Sequence, residues 1–152
     1  MALHLKSAGA IVFRPEGEKI KYFLLYRQAH DHYRESWDFP KGLVDLKEDE
    51  LTAAQREVRE ETGINDFNFL SGFREKIKFF FRDQGQLVLK EVIFYLAETK
   101  TEKANVSSEH NDYAWLEYEE TKERLTHKNS KEILEKADRF LKQWTKQGRV
   151  IK

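Results

Sequence analysis

One stretch constrains this chain more than any other: GLVDLKEDELTAAQREVREETGI, from Gly42 to Ile64. From Glu50 to Thr62 the pattern is helical. Leu51, Ala54, Val58 and Thr62 recur at helical spacings as one apolar stripe, and Gly63 supplies the C-terminal stop. The same helix carries Glu57, Glu60 and Glu61. In an α-helix Glu57 and Glu61 stack one turn apart and Glu60 lies beside them. The acids span roughly a 100° arc bordering the apolar stripe, and Ala53 leaves room in that arc. A solvated face is the plain reading of any Glu-rich helix. Yet at about 5 Å and an effective dielectric of about 20, each pair would repel by roughly 3 kcal/mol. Basic neighbours or a divalent cation would offset that cost. Oxygen donors without His or Cys suit Mg²⁺ or Mn²⁺.

The rest of the chain reads as one domain, residues 1–152, with no repeat, low-complexity tract or Pro-rich linker to start a second. Ala8–Arg14 and Lys21–Gln28 read as strands joined by the turn PEGEK. HDHYRESWDFPKG is expected to be a loop. After the helix, NFLSGFREKIKFFFRD and QLVLKEVIFYLAETK form a second hairpin around DQGQ, and DYAWLEY is a short final strand. Asn129 or Ser130 would cap a last helix whose stripe runs from Ile133 to Trp144 and packs into the core. The order strand, strand, helix, three strands, helix suggests an α/β fold, a mixed sheet covered by helices on both faces. A doubly wound nucleotide-binding sheet does not fit, since no regular βαβ alternation occurs.

Charge narrows the function classes. Lys+Arg and Asp+Glu are both 27, so no global field points to an anionic membrane or a long nucleic acid. There is no cysteine, which removes disulfide and thiolate chemistry. No apolar run approaches the roughly 20 residues needed to span a bilayer, and the N-terminus is a poor signal peptide. A monomeric, cytoplasmic protein is the expectation.

Gly42 is followed by five residues and Glu48, then seven residues and Arg56-Glu57, then Val58, Glu60-Glu61, Gly63 and Ile64. At every fixed position this resembles the box of the Nudix hydrolases, G-x5-E-x7-R-E-U-x-E-E-x-G-U with U aliphatic. The resemblance implies an α/β/α sandwich with the box as loop–helix–loop. It also implies hydrolysis of a nucleoside diphosphate linked to another moiety, with Mg²⁺ or Mn²⁺ and more than one ion. It assigns metal binding to Glu57, Glu60 and Glu61, with the backbone carbonyl of Gly42, and a bracing ion pair to Glu48 and Arg56. Such chemistry is coherent: a pyrophosphate must be approached by an anionic nucleophile, so neutralising charge and positioning water dominate the barrier. A carboxylate of the set then takes the proton.

Outside the box, SAGAIVFR, WDFPKG, Gly72-Phe73, KEVIFYLAE and SSEHNDYAWL resemble the branch of that family that hydrolyses diadenosine tetraphosphate asymmetrically, giving ATP and AMP. The likeness implies that Lys41 and Lys90 face the polyphosphate and that Glu109 is a further metal-binding or proton-accepting acid. Phe79, where relatives carry a tyrosine, and Tyr113 are candidates to stack on a base, and His32 and His110 to contact phosphate or metal. For each the plain alternative is a surface or core residue. Rival readings are a sanitiser of damaged nucleoside triphosphates, an RNA 5′-pyrophosphohydrolase and a Nudix-fold nucleotide sensor. A sensor would be expected to lose box glutamates, and Glu48, Glu57, Glu60 and Glu61 are all present. An interaction module built on Ile133–Trp144 has only its amphipathic stripe behind it.

Overall fold

The computed structural model describes residues 2–29, 34–106 and 112–146. Its framework is β1 (Leu3–Glu16), which runs parallel to β7 (Gln86–Glu98) along most of its length. On its other edge β1 pairs antiparallel with β4 (Lys41–Leu43) near Gly9 and with β2 (Lys19–Arg27) near Phe13. That edge therefore parts into two directions, and the segment joining β3 (Ser36–Asp38) to β4 fills the fork. β2 also carries β3 and β8 (Asp112–Leu116), while β6 (Glu75–Asp83) and the two-residue β5 (Asn68–Phe69) pair with β7.

Alternation along β1 sends Ile11 and Phe13 to one face and Ala10 and Val12 to the other. The first face is covered by α3 (Lys128–Lys146), whose Ile133, Leu134, Ala137 and Leu141 pack on Tyr22, Val92, Phe94 and Leu96. The second is covered by α1 (Glu50–Thr62), where Ala53 and Ala54 lie on Ala8 and Ile93, and Val58 joins Phe23 and Leu25. This is the expected mixed sheet with helices on both faces, and α1 has the expected bounds. Asp49 caps its start by accepting from the Thr52 N–H at 2.7 Å, and Gly63 ends it in the left-handed conformation, φ 70°.

Several expectations need correction. The loop before the box holds β3 and β4, which are too short to show a period of two. The NFL…FRD run breaks into β5 and β6. A short helix, α2 (Tyr118–Arg124), precedes α3. Asn129 and Ser130 lie inside the first turn of α3 and do not cap it; the Ser130 hydroxyl donates to Asp38 at 2.9 Å. On α1 the buried residues are Ala53, Ala54, Val58, Glu61 and Thr62, and Leu51 is 40 % exposed. Paired alanines let the helix approach β1 closely, which rotates Leu51 outward.

Candidate active site

Two close approaches build the site floor. Pro40 O accepts from the Ala10 N–H at 3.2 Å, so the FPKG segment lies flat on β1. A Cβ on Gly9 would sit 2.1 Å from that carbonyl oxygen, so only glycine permits the contact. On the other side, α1 presses Glu57 onto Gly42: a Cβ there would fall 2.1 Å from a Glu57 carboxylate oxygen. One residue earlier, the Lys41 N–H donates to Glu61 Oε1 at 2.8 Å. Glu57 and Glu61 thus meet consecutive residues of β4.

The carboxylates differ in environment. Glu61 is buried, and Glu57 has a side chain 15 % exposed, whereas that of Glu60 is 59 % exposed and faces solvent. The expected placement at the shoulder of the core holds for the first two and fails for Glu60. Burial pushes the Glu57 carboxyl above the usual range, the Arg56 guanidinium pulls it back, and Glu60 and Asp45 raise it again.

Arg56 is the basic neighbour that offsets the repulsion. Its Nη1 donates to Glu57 Oε1 at 2.7 Å and to Glu60 Oε2 at 3.3 Å. Its Nε and Nη2 grip Glu48, and Nη2 also reaches the Leu43 carbonyl at 3.0 Å. Glu48 in turn accepts from the Asp45 N–H at 3.1 Å, which closes the loop back on the helix.

Among the described residues no three His, Asp or Glu side chains converge as a ready-made metal cluster, and Arg56 is hydrogen-bonded to both Glu57 and Glu60. The donor set still fits a hard divalent cation. It is all oxygen, and the bare Cα of Gly42 leaves the space a carboxylate occupies.

Two lysines, Lys41 and Lys90, project from the opposite face of the sheet. Lys90 is half-buried on β7; burial first, then Lys41 and Arg27, hold its ammonium below the normal lysine range. Directly across from it on β6 stands Phe79, 37 % exposed, with its ring 6.1 Å from that of Phe81. These phenylalanines are not core residues. Lys41 Nζ lies 2.5 Å from Asp38 Oδ2. Asp38 is a residue that reading the sequence missed; the signal was an acid three positions before Lys41, inside the WDFPKG already singled out.

The structure does not bring Tyr113 to Phe79. Tyr113 packs on Phe23 at 5.5 Å, on the α1 face, and its hydroxyl accepts from the Ala104 N–H at 3.3 Å. Strand alternation places Phe79 and Lys90 on the face of Val92, across the sheet. Glu109, His32 and His110 lie outside the described residues.

This chain is similar to known proteins over most of its length. The mouse bis(5′-nucleosyl)-tetraphosphatase [asymmetrical] is 35% identical over 147 residues, covering 90% of this chain and 95% of that protein. The crystal structure of a C. elegans Ap4A hydrolase binary complex superposes with a TM-score of 0.77 at 30% identity, over 90% of this chain and 97% of that one. An RNA pyrophosphohydrolase of Caulobacter vibrioides is 37% identical over 67 residues, 44% of this chain and 37% of that protein. The NUDIX domain model matches residues 3–137, and with the box geometry intact the chain belongs to the Nudix family.

Proposed function

We propose that this protein is a divalent-metal-dependent pyrophosphohydrolase, using Mg²⁺ or Mn²⁺, that cleaves diadenosine tetraphosphate unequally into ATP and AMP. The observation that carries the reading is the position of Lys41. Its backbone N–H holds Glu61 of the carboxylate helix, while its side chain meets Asp38 and adds its charge to the surroundings of Lys90. One residue thereby joins an acidic, cation-binding side to a basic, phosphate-binding side. Likeness over nearly the whole chain to the mouse tetraphosphatase and the C. elegans Ap4A hydrolase supports the substrate class.

Glu57, Glu60, Glu61 and the Gly42 carbonyl would hold the metal, with Glu109 as a further donor. Bound there, a divalent cation supplies the positive charge that makes the phosphoryl group electrophilic and its water acidic. The chain's own part is to steer and to accept. Lys41 and Lys90 orient the phosphates, Phe79 offers a π face to an adenine, and a carboxylate, Glu57 or Glu109, takes the proton of the attacking water. Residues 1–152 would act as a single domain, as a monomer. No described helix is long and apolar enough to cross a membrane.

A second reading, RNA 5′-pyrophosphohydrolase, is favoured by the partial match to the Caulobacter protein and weakened by the balanced charge. A nucleotide panel with Mg²⁺ separates the two. ATP plus AMP from diadenosine tetraphosphate, at far higher kcat/KM than from any dNTP or 5′-triphosphorylated RNA, is expected. Preference for the RNA or a dNTP would overturn the substrate assignment.

A further inference from the structure

Asp38 has one carboxylate and three separate anchors. Its Oδ1 accepts from the Phe39 N–H at 2.8 Å and from the Ser130 hydroxyl, on the first turn of α3, at 2.9 Å. Its Oδ2 is left to meet Lys41 Nζ at 2.5 Å. The carboxylate is only 14 % exposed, so it cannot swing to follow a mobile partner. One oxygen is locked by the backbone and by a helix, and the other is aimed.

The target of that aim needs fixing. A lysine carries a flexible four-carbon stem and a large rotamer entropy, so an unanchored ammonium samples many positions. Lys41 also sits close enough to Lys90 for each to repel the other, which would drive the freer of the two away from the phosphate path. One fixed negative charge among Lys41, Lys90 and Arg27 offsets that repulsion and leaves the cluster net positive. We propose that Asp38 is a positioning residue for phosphoanhydride hydrolysis, holding the Lys41 ammonium beside Lys90 before substrate arrives. It acts through Lys41 and touches no substrate atom. The inference rests on the reading of Lys41 and Lys90 as polyphosphate-binding cations.

The alternative is purely architectural, with Asp38 merely pinning α3 to β3. A double-mutant cycle distinguishes them, because coupled residues give non-additive effects. Asp38→Asn, Lys41→Met and the double variant are compared with wild type on diadenosine tetraphosphate, with thermal melts to confirm folding. The positioning role predicts that Asp38→Asn lowers kcat about tenfold without raising KM, since a negative charge has been removed from the phosphate path. In the Lys41→Met background the same substitution should change kcat less than about twofold. An equal loss in both backgrounds, or an unchanged kcat, overturns the proposal. Ser130→Ala, which loosens the carboxylate but keeps its charge, covers the case in which Asp38→Asn fails to fold. Its kcat loss should be smaller and should again vanish without Lys41; persistence there overturns the proposal. A wild type that leaves diadenosine tetraphosphate intact overturns only the substrate reading, and the four proteins are then run on the nucleotide that is turned over.

Discussion

Arg56 grips Glu48 through two hydrogen bonds, Nε to Oε2 at 2.7 Å and Nη2 to Oε1 at 2.9 Å, the fork that only a guanidinium makes. The same side chain reaches Glu57 and Glu60, so the brace of the loop and the neutraliser of the carboxylates are one group. Arg56→Lys keeps the charge and loses the fork. The loop should then shift against α1 and misplace Glu57, lowering kcat by on the order of 10- to 100-fold. Steady-state kinetics with a thermal melt checks this. Wild-type kcat at a reduced melting temperature would make the brace architectural only.

Glu57 and Glu61 are the carboxylates that α1 delivers to β4. Glutamine in either place keeps the shape and most of the hydrogen bonding while deleting the charge a cation needs. Glu57→Gln and Glu61→Gln should each lose on the order of 10²–10³ in kcat, with unchanged circular dichroism. Glu60→Gln should lose less, because Glu60 faces solvent. Near-normal rates for the first two at saturating Mg²⁺ would sink the metal assignment.

The box was legible in the sequence because its parts are local. A helical stripe, a left-handed glycine and a fixed spacing all lie within Gly42–Ile64, and Glu48 and Arg56 meet as expected. What escaped depended on contacts made far along the chain. Asp38 is anchored by Ser130, far along the chain, and β3 and β4 exist only because β2 and β1 give them partners. Leu51 fitted the stripe by period, yet the paired alanines set the helix rotation. Tyr113 matched as an aromatic near the site, but sequence spacing cannot tell which face of the sheet it takes.

Lys90 carries a cost in stability. Its folded-state pKa is depressed, by burial first and then by Lys41 and Arg27, so the folded protein gives up this proton more readily than the unfolded chain. Stability linked to this group therefore rises with pH between its depressed folded value and the unfolded value near ~10.4. Below that window the penalty of the buried charge is fully present. Lys90→Met should accordingly raise Tm at pH 7 by about 1–3 °C, with a smaller gain at pH 10. If Lys90 binds phosphate as proposed, KM should rise about tenfold when this cation is lost. Melts at both pH values test the first point and initial rates the second; a lower Tm at pH 7 would show that Lys90 is paired and stabilising.

Gly9 on β1 and Gly42 on β4 lie one register position apart on paired strands but should fail differently when replaced by alanine. At Gly9 the new Cβ would meet backbone, the Pro40 oxygen at 2.1 Å and the Lys41 Cα at 2.8 Å. Backbone on both sides has no easy escape, so Gly9→Ala should cost roughly 1–3 kcal/mol or more and lower Tm by several degrees. At Gly42 the new Cβ would meet only the end of the Glu57 side chain. That carboxylate can turn away at small cost, so Gly42→Ala should fold with a nearly normal melt. The displaced Glu57 would no longer face the β4 backbone, and kcat should fall toward that of Glu57→Gln. Combining Gly42→Ala with Glu57→Gln should then add little further loss. Paired melts and kinetics on the variants decide it: an active Gly42→Ala protein would mean that Glu57 works from another rotamer.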